Sequence, residues 1–349
     1  MVVDSEHPSE SSPSEVMAQL LDGFALSQAL FVLAEAGVAT VLEREGPQTV
    51  AALAERTQSD PGALGRLIRS LAPHGVFRTD GDRVAVTALG ATLSEHHPQS
   101  VHSVAVGSMD LHYRAFAELR HTLRTGEPAA TRYFGEPYFD WIATDPARAK
   151  LFGEAMTAFG TMRAGMFDGY RLPPGRTIAD LGASDGSLLV DLLLRDHQLD
   201  RRGIVFDLPT TVESARPVLA AAGVADRVDL VAGDFFEAVP SADIYLLSWI
   251  LHDWSDADSR RILTSIASAA PPHARLLVVE QIVPAGDDPH PTKKFDLTML
   301  GILGGKERSE QEYRELLDSG GFAVDRVVPT SGPFVIIEAT RRDAASDRP

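Results

Sequence analysis

The second half of the chain alternates strand-like runs with helical runs, and this alternation restricts the fold more than any other feature. The strand-like runs, rich in Val, Ile and Leu, cover residues 177–182, 203–208, 227–233, 242–251 and 274–281. Helical runs between them cover 187–195, 211–223 and 255–270. Such alternation predicts an α/β domain with a mostly parallel sheet wrapped by helices. Two closing strands, 322–330 and 333–340, have no helix between them, so we expect an antiparallel C-terminal hairpin, which dinucleotide-binding Rossmann domains do not usually have.

The first hundred residues predict a separate, mainly helical domain. Residues 17–42 are apolar at mixed helical spacings, which indicates helices buried on more than one side. From Thr49 the pattern is helix, turn, helix and then a hairpin around Asp80-Gly81-Asp82. Asp60 followed by Pro61 supplies a helix cap and a first-turn proline. This order is typical of a winged helix.

These patterns divide the 349 residues into five segments. We expect a disordered N-terminus at 1–13, a winged-helix domain at 14–100, a helical linker at 101–172, an α/β domain at 173–340 and a frayed tail at 341–349. The linker is rich in aromatic residues and methionines, which core packing alone would explain.

The amino-acid composition restricts the classes of partner that we expect for this protein. The formal net charge of −17 disfavours nucleic acid, because such a surface repels phosphates. The chain has no cysteine, which excludes disulfides and thiolate metal sites and suits a reducing cytoplasm; no metal site is predicted. The polar, acidic start does not resemble a signal peptide, and we expect no run of about 20 apolar residues that would span a membrane.

A glycine-containing turn joins the first predicted strand of the α/β domain to its helix, with the sequence Asp180-Leu-Gly182-Ala-Ser184-Asp-Gly186. A turn of this kind lets a ligand approach the free N–H groups of a helix N-terminus. The dinucleotide fingerprint requires glycine at 182, 184 and 187, but Ser184 and Ser187 occupy two of these positions. The spacing is similar to the [DE]-x-G-x-G-x-G loop of class I methyltransferases, with Ser184 in the middle place. Alone, the loop indicates only a nucleotide-like ligand.

Polar residues follow the next two strands as well. Asp207, which precedes Leu208, ends the second strand, where a carboxylate is placed to accept both hydroxyls of a ribose. Asp234 and Phe235 follow the third strand and supply an acceptor for an exocyclic amine and an aromatic wall for a purine. A structural role would also explain these residues: Asp207 as an ordinary turn aspartate, and Asp234 with Phe235 as a loop that buries a phenylalanine.

The segment after the fourth strand, Ser248-Trp-Ile-Leu-His252-Asp-Trp-Ser-Asp256, resembles the active-site segment of the plant caffeate and flavonoid O-methyltransferases and of their bacterial relatives that modify natural products. Gly304-Gly-Lys-Glu-Arg-Ser309 and Val279-Glu-Gln-Ile-Val-Pro284 resemble two further segments of that family. The resemblance covers nearly the whole chain. The sequence departs from the family pattern at two places. Ala183-Ser184 lies where the family usually has a glycine-rich loop, and its effect on cofactor affinity stays open. Ile302-Leu303 lies where plant members commonly have Asn-Pro.

The resemblance implies a Rossmann-like class I methyltransferase fold, S-adenosyl-L-methionine as cofactor, and a winged-helix domain that forms a homodimer. It implies that His252 is the general base, bracketed by Glu280 and Glu307. The cofactor would be bound by Asp180, Gly182, Gly186, Asp207, Leu208, Asp234, Phe235 and Ser248. The acceptor, expected to be a small aromatic molecule with a phenolic hydroxyl, would contact Phe152, Met156, Phe159, Trp249, Asp253 and Met299.

Two kinds of alternative remain open at this point. A base beside a sulfonium also serves N- or C-methylation, and some family members carry out hydroxylation or decarboxylation instead. The winged helix, whose second helix region carries Arg66, Arg69 and His74, would also fit a DNA-binding regulator, which the net charge disfavours.

Overall fold

The computed structural model describes residues 12–160, 165–195 and 200–342. Residues 1–11 of the expected disordered start and 343–349 of the expected frayed tail lie outside this description. The described chain forms two compact units. The N-terminal unit comprises residues 12–114 and 139–160, and the C-terminal unit comprises the rest. The five-segment division expected from the sequence stays a prediction.

Helices make up most of the N-terminal unit and alternate with strands in the C-terminal unit. The α-helices are α1 Pro13–Glu35, α2 Val38–Glu45, α3 Val50–Arg56, α4 Pro61–Leu71, α5 Ala88–Ala91, α6 His102–Gly107, α7 Leu119–Thr125, α8 Ala129–Phe134, α9 Tyr138–Ala143, α10 Pro146–Gly160, α11 Ser187–Arg195, α12 Ala215–Ala221, α13 Asp256–Ala269, α14 Pro291–Thr298 and α15 Glu310–Ser319. The strands are β1 Gln48–Thr49, β2 Phe77–Asp80, β3 Arg83–Val86, β4 Thr177–Leu181, β5 Arg202–Asp207, β6 Val228–Ala232, β7 Ile244–Ser248, β8 Arg275–Gln281, β9 Phe322–Pro329 and β10 Phe334–Arg341.

The N-terminal unit contains the predicted winged helix. Helices α3 and α4 are followed by the β2–β3 hairpin, and β1 completes a three-stranded sheet in the order β1-β3-β2. Asp60 caps α4 as expected, since its carboxylate accepts the backbone N–H of Ala63 at 2.8 Å and Pro61 occupies the first turn. Leu64, Ile68 and Leu71 on one face of α4 are buried in the core of this unit.

Helix α1 differs from the expectation of burial on several sides. Its last turns are buried, but its first half exposes a stripe of apolar side chains: Val16, Met17, Leu20, Leu21 and Phe24. By length and composition alone this helix is long and apolar enough to cross a membrane. Gln19, Asp22, Ser27 and Gln28 interrupt its apolar residues, so α1 contains no unbroken run of about 20 apolar residues. One such helix is weak evidence for a membrane span.

The C-terminal unit is built on a seven-stranded sheet in the order β6-β5-β4-β7-β8-β10-β9. Neighbours from β6 to β8 are parallel, whereas β10 is antiparallel to both β8 and β9. The predicted parallel sheet and the closing hairpin are both confirmed. Every residue of β7 and all but the first of β4 and β8 are buried, as expected for parallel strands covered on both faces.

The parallel strands bring their carboxyl ends to one edge of the sheet, so the loops that follow β4 to β8 share that edge. One strand is shorter than its sequence predicts. The apolar run was expected to extend through residue 251, but β7 ends at Ser248 and a 3-10 turn follows at Leu251–Asp253. The chain leaves the strand at Trp249, whose φ of 57° lies in the left-handed region that a side chain disfavours.

Candidate active site

The loop after β4 has the left-handed backbone that its glycines predict. Gly182 and Gly186 have φ of 73° and 72°, and Ser184 between them adopts 53°. A Cβ on Gly182 would lie 2.4 Å from the terminal Cδ1 of Ile250, and its φ of 73° is one that side chains disfavour, so space and backbone together favour glycine. Ser184 therefore takes the backbone of the glycine usual in the resembled family, at a conformational cost of roughly 1 kcal/mol.

Asp207 is held by the backbone on both sides. Its carboxylate accepts the N–H of Ser184 at 2.8 Å and that of Leu208 at 2.7 Å. Burial raises the pKa of Asp207, and these two hydrogen bonds act in the opposite direction. Each oxygen keeps a lone pair, which is the acceptor pattern that a ribose diol requires. Leu208 itself is half exposed beside it.

The remaining predicted cofactor residues lie at the same edge. The Asp234 carboxylate accepts the N–H of Phe236 at 2.8 Å in the turn after β6. The Phe235 ring lies close to Gly182, at 3.8 Å from where a Cβ on that glycine would be. Asp180 is buried at the end of β4. The buried hydroxyl of Ser248 has no hydrogen-bond partner among the described residues. A carboxylate for a diol, an aromatic edge and a buried hydroxyl without a partner fit an adenosine-containing cofactor.

His252 lies in the turn after β7 and is buried, with 3% of its surface exposed. Its Nδ1–H donates to Glu307 Oε1 at 2.7 Å, and its Nε2 lies 3.3 Å from Asp253 Oδ1. Glu307, 55 residues further along the chain, is held in turn because its backbone N–H donates to Asp296 at 2.8 Å. This pairing fixes the tautomer and directs Nε2 away from Glu307.

Glu280 approaches the same turn from β8 but contacts its backbone. Its Oε1 accepts the N–H groups of Ile250, Leu251 and His252 at 3.2, 2.9 and 3.4 Å. Glu280 is fully buried, and this buried carboxylate lies at the N-terminal end of the Leu251–Asp253 turn. The two glutamates thus differ in role: Glu307 orients the imidazole, and Glu280 holds the backbone that carries it.

The charges of this cluster are coupled. Burial alone lowers the pKa of an imidazole, but the carboxylates of Asp253, Glu280 and Glu307 outweigh burial and raise the pKa of His252 well above its ordinary value. Burial raises the pKa values of Asp253 and Glu280, and attraction to the imidazolium opposes the rise. The cluster therefore favours a proton on His252.

Aromatic rings cover the imidazole. Trp249 stacks on His252 with ring centres 5.5 Å apart, and Phe295 of α14 stacks on both, at 5.9 Å from the imidazole and 5.5 Å from the indole. Parallel rings of this kind stabilise an imidazolium through their π faces. Met299 is buried at the start of a π-helix, Met299–Leu303, that continues α14.

The double glycine of the Gly304–Ser309 segment has a physical cause in the structure. Gly304 ends the π-helix in the left-handed region, with φ of 77°. Gly305 lies so close to the turn that carries His252 that an added Cβ would be 2.0 Å from the carbonyl oxygen of His252. This contact brings Glu307 within reach of the imidazole.

The structure thus brings together, in the C-terminal unit, all predicted catalytic and cofactor residues and three of the predicted acceptor residues, Trp249, Asp253 and Met299. The other three, Phe152, Met156 and Phe159, lie on α10 in the N-terminal unit, where Phe152 packs edge-on against Phe139. Their assignment to the acceptor stays a prediction.

Three residues of the site were missed in the sequence: Phe295, Asp296 and Arg308. Phe295 and Asp296 stand in a segment whose methionine, Met299, was singled out. Arg308 directly follows Glu307 within a motif that was recognised. Its burial, at 0% exposure, is the feature that the sequence did not show.

Comparison with known proteins supports the assignment of the fold and the cofactor. The model of the O-methyltransferase domain matches residues 116–323, and that of the O-methyltransferase dimerisation domain matches residues 18–95. The phenazine O-methyltransferase of Lysobacter antibioticus is 38% identical over 93% of this chain and 96% of its own length. The mitomycin 6-O-methyltransferase of Streptomyces lavendulae is 37% identical over 95% of each chain.

A solved O-methyltransferase from neocarzinostatin biosynthesis, in complex with S-adenosylmethionine and 2-hydroxy-5-methyl naphthoic acid, superposes with a TM-score of 0.80. It is 31% identical and covers 90% of this chain and 95% of its own. The predicted cofactor and homodimer are confirmed by these matches. With a catalytic-domain match over more than half its length and relatives at this identity, the chain belongs to the S-adenosylmethionine-dependent O-methyltransferases of natural-product biosynthesis.

Proposed function

We propose that the protein methylates a phenolic hydroxyl of a small aromatic natural product or its precursor, with His252 as the general base. The observation that carries this proposal is the buried imidazole whose Nδ1–H is bonded to Glu307 at 2.7 Å. A base oriented in this way presents Nε2 to an acceptor, which is the arrangement that proton removal from a hydroxyl requires.

The chemistry divides between the cofactor and the chain. S-adenosylmethionine, when bound, supplies an electrophilic methyl group. A phenol with a pKa of about 10 is mostly protonated at neutral pH, so a base must take its proton as the new bond forms. His252 accepts that proton on Nε2, and the Glu307 carboxylate stabilises the imidazolium. Asp253, 3.3 Å from Nε2, is placed to position the hydroxyl. Burial of the cluster excludes water from competing for the base.

The acceptor class follows from the lining of the site and from the relatives. Trp249, Phe295 and Met299 give the catalytic edge an apolar, aromatic wall that suits a flat ring. The neocarzinostatin enzyme was solved with a hydroxylated naphthoic acid, and we propose a hydroxylated aromatic ring of similar kind for this protein.

We further infer that the exposed apolar stripe of α1, which includes Leu20 and Leu21, is covered by the second copy in the homodimer, since the dimerisation-domain match begins at residue 18. The cysteine-free composition supports a cytoplasmic location.

The test is His252→Ala, with His74→Ala as the control because His74 is an exposed histidine in the N-terminal unit. We expect single-turnover methyl transfer to fall by about 10²–10⁴ while cofactor affinity stays the same. The acceptors are a panel of hydroxylated aromatic rings, each paired with its amino analogue, and the product is read by mass. Full turnover of the His252 variant would refute the base, and methylation of the amines alone would refute the phenolic acceptor.

A further inference from the structure

Arg308 is a fully buried cation that the proposed mechanism does not use. Its guanidinium reaches across to the turn that carries His252, where Nη1 donates to the carbonyl oxygen of Leu251 at 2.6 Å and Nη2 to that of Trp254 at 2.9 Å. Its remaining bonds go mainly to Asp256, at 2.8 and 3.0 Å, which is the first residue of α13.

Glu280 binds N–H groups of this turn and Arg308 binds carbonyl groups, and Leu251 takes part in both contacts. The Leu251–Asp253 turn is too short to pair most of its own N–H and C=O groups. The Ser259 hydroxyl makes longer bonds to the same two carbonyls, at 3.3 and 3.4 Å, so the Arg308 bonds are the shorter ones. Glu280 supplies a negative charge to the N–H groups and Arg308 a positive charge to the carbonyl groups, and both are 0% exposed. Each buried charge matches the local backbone dipole that it faces.

We propose that Arg308 is a positioning residue for the reaction: by holding the carbonyl groups of the His252 turn, it keeps the imidazole in register with Glu307. The inference rests on the proposed role of His252 for its effect on rate, but not for its effect on the imidazole. Arg308 and Glu307 are adjacent in the chain, so one short segment fixes both the turn and the ring.

The competing explanation is that Arg308 only ties the Gly304–Ser309 segment to α13 through its ion pair with Asp256. The chain offers a matched control for this. Asp256→Asn weakens the ion pair with Arg308 but leaves both carbonyl bonds in place, and Asp256 is far more exposed than Arg308. Lys306→Met serves as a second control, because the Lys306 ammonium pairs with Asp256 at 3.3 Å and with Glu312 at 3.0 Å, away from the two carbonyls.

The test variant is Arg308→Lys, which keeps the charge but loses the planar fork that bridges two carbonyls. The first measurement is the proton NMR resonance of the Nδ1–H of His252, which the short bond to Glu307 moves downfield. The spectrum is recorded on the fraction of protein that binds the cofactor, so that unfolded protein does not contribute to it. The second measurement compares the change in kcat with the change in the Kd of the cofactor.

We expect Arg308→Lys to lose or shift the downfield resonance and to lower kcat by about 10², since a displacement near 1 Å has that effect, with cofactor Kd nearly unchanged. Both control variants should keep the resonance and the rate. The proposal is overturned if Arg308→Lys keeps both, or if Asp256→Asn loses them to the same degree. If His252→Ala retains turnover while Arg308→Lys still loses the resonance, the general base fails but the positioning role stands.

Discussion

Replacement of Gly305 by alanine tests whether the turn that carries His252 depends on a close backbone contact. The added Cβ would lie 2.0 Å from the carbonyl oxygen of His252 and 2.5 Å from the carbonyl carbon of Asp253. An ordinary carbon–oxygen contact is about 3.3 Å or longer, so one backbone must move by more than about 1 Å. Neither contact atom belongs to a side chain that can rotate away. The turn is fixed by Glu280 from one side, so the displacement acts on the distance between His252 and Glu307.

The magnitude follows from these distances. Overpacking of a buried contact costs about 1–3 kcal/mol, which lowers the melting temperature by several degrees in a domain of this size. A displacement near 1 Å at reacting groups lowers the rate by about 10². We therefore expect Gly305→Ala to lose most of its kcat while it still binds the cofactor, whose predicted ligands lie on the β4 to β7 loops.

The assays are single-turnover methyl transfer, calorimetric cofactor binding and thermal unfolding. Gly65→Ala in α4 is the control, since its Cβ would make an ordinary 3.4 Å contact with Val50. That variant should be neutral or slightly stabilised, because alanine is the better helix former. A Gly305→Ala enzyme with normal rate and stability would refute the close contact and, with it, the physical cause of the double glycine.

Two further predictions concern the charge cluster and the cofactor loop. A general base must be neutral, and neighbouring carboxylates raise the pKa of His252, so under the proposed mechanism we expect the methyl-transfer rate to rise from neutral into alkaline pH. Glu307→Gln should move that rise to lower pH and reduce the plateau; a pH–rate profile that does not move would contradict this. Ser184→Gly should stabilise the protein by at most about 1 kcal/mol, because glycine adopts φ of 53° without strain but has more freedom in the unfolded chain. Thermal unfolding measures it, and a lower melting temperature would show that the Ser184 side chain stabilises the loop.

Much of the C-terminal unit could be predicted because its strands are buried on both faces. Continuous apolar runs such as those of β4 and β8 appear directly in the sequence, and glycines mark the turns between strands and helices. The end of β7 could not be predicted in this way. Trp249, Ile250 and Leu251 are as apolar as the strand before them. The strand ends because Glu280, from the neighbouring strand, binds the next N–H groups, and a contact between distant residues leaves no local pattern.

The functional site shows the same difference between features that the sequence reveals and features that only the fold reveals. The resemblance named His252, Glu280 and Glu307, but the sequence treated the two glutamates as equivalent. Their separate roles depend on which carboxylate faces the ring and which faces the backbone. That difference comes from the register of β8 against β7 and from the close approach at Gly305. Arg308 was missed because a charged residue in a recognised motif is expected at the surface, and only the fold shows that it is buried.

The net negative charge of the buried cluster affects how readily His252 becomes neutral. Asp253, Glu280 and Glu307 outnumber the cations His252 and Arg308, so the cluster stabilises an imidazolium and opposes the neutral base. The same carboxylates that favour His252 after it has taken the proton therefore make it harder to deprotonate beforehand. We therefore expect His252 to serve as the proposed base mainly at alkaline pH, where the imidazole is neutral.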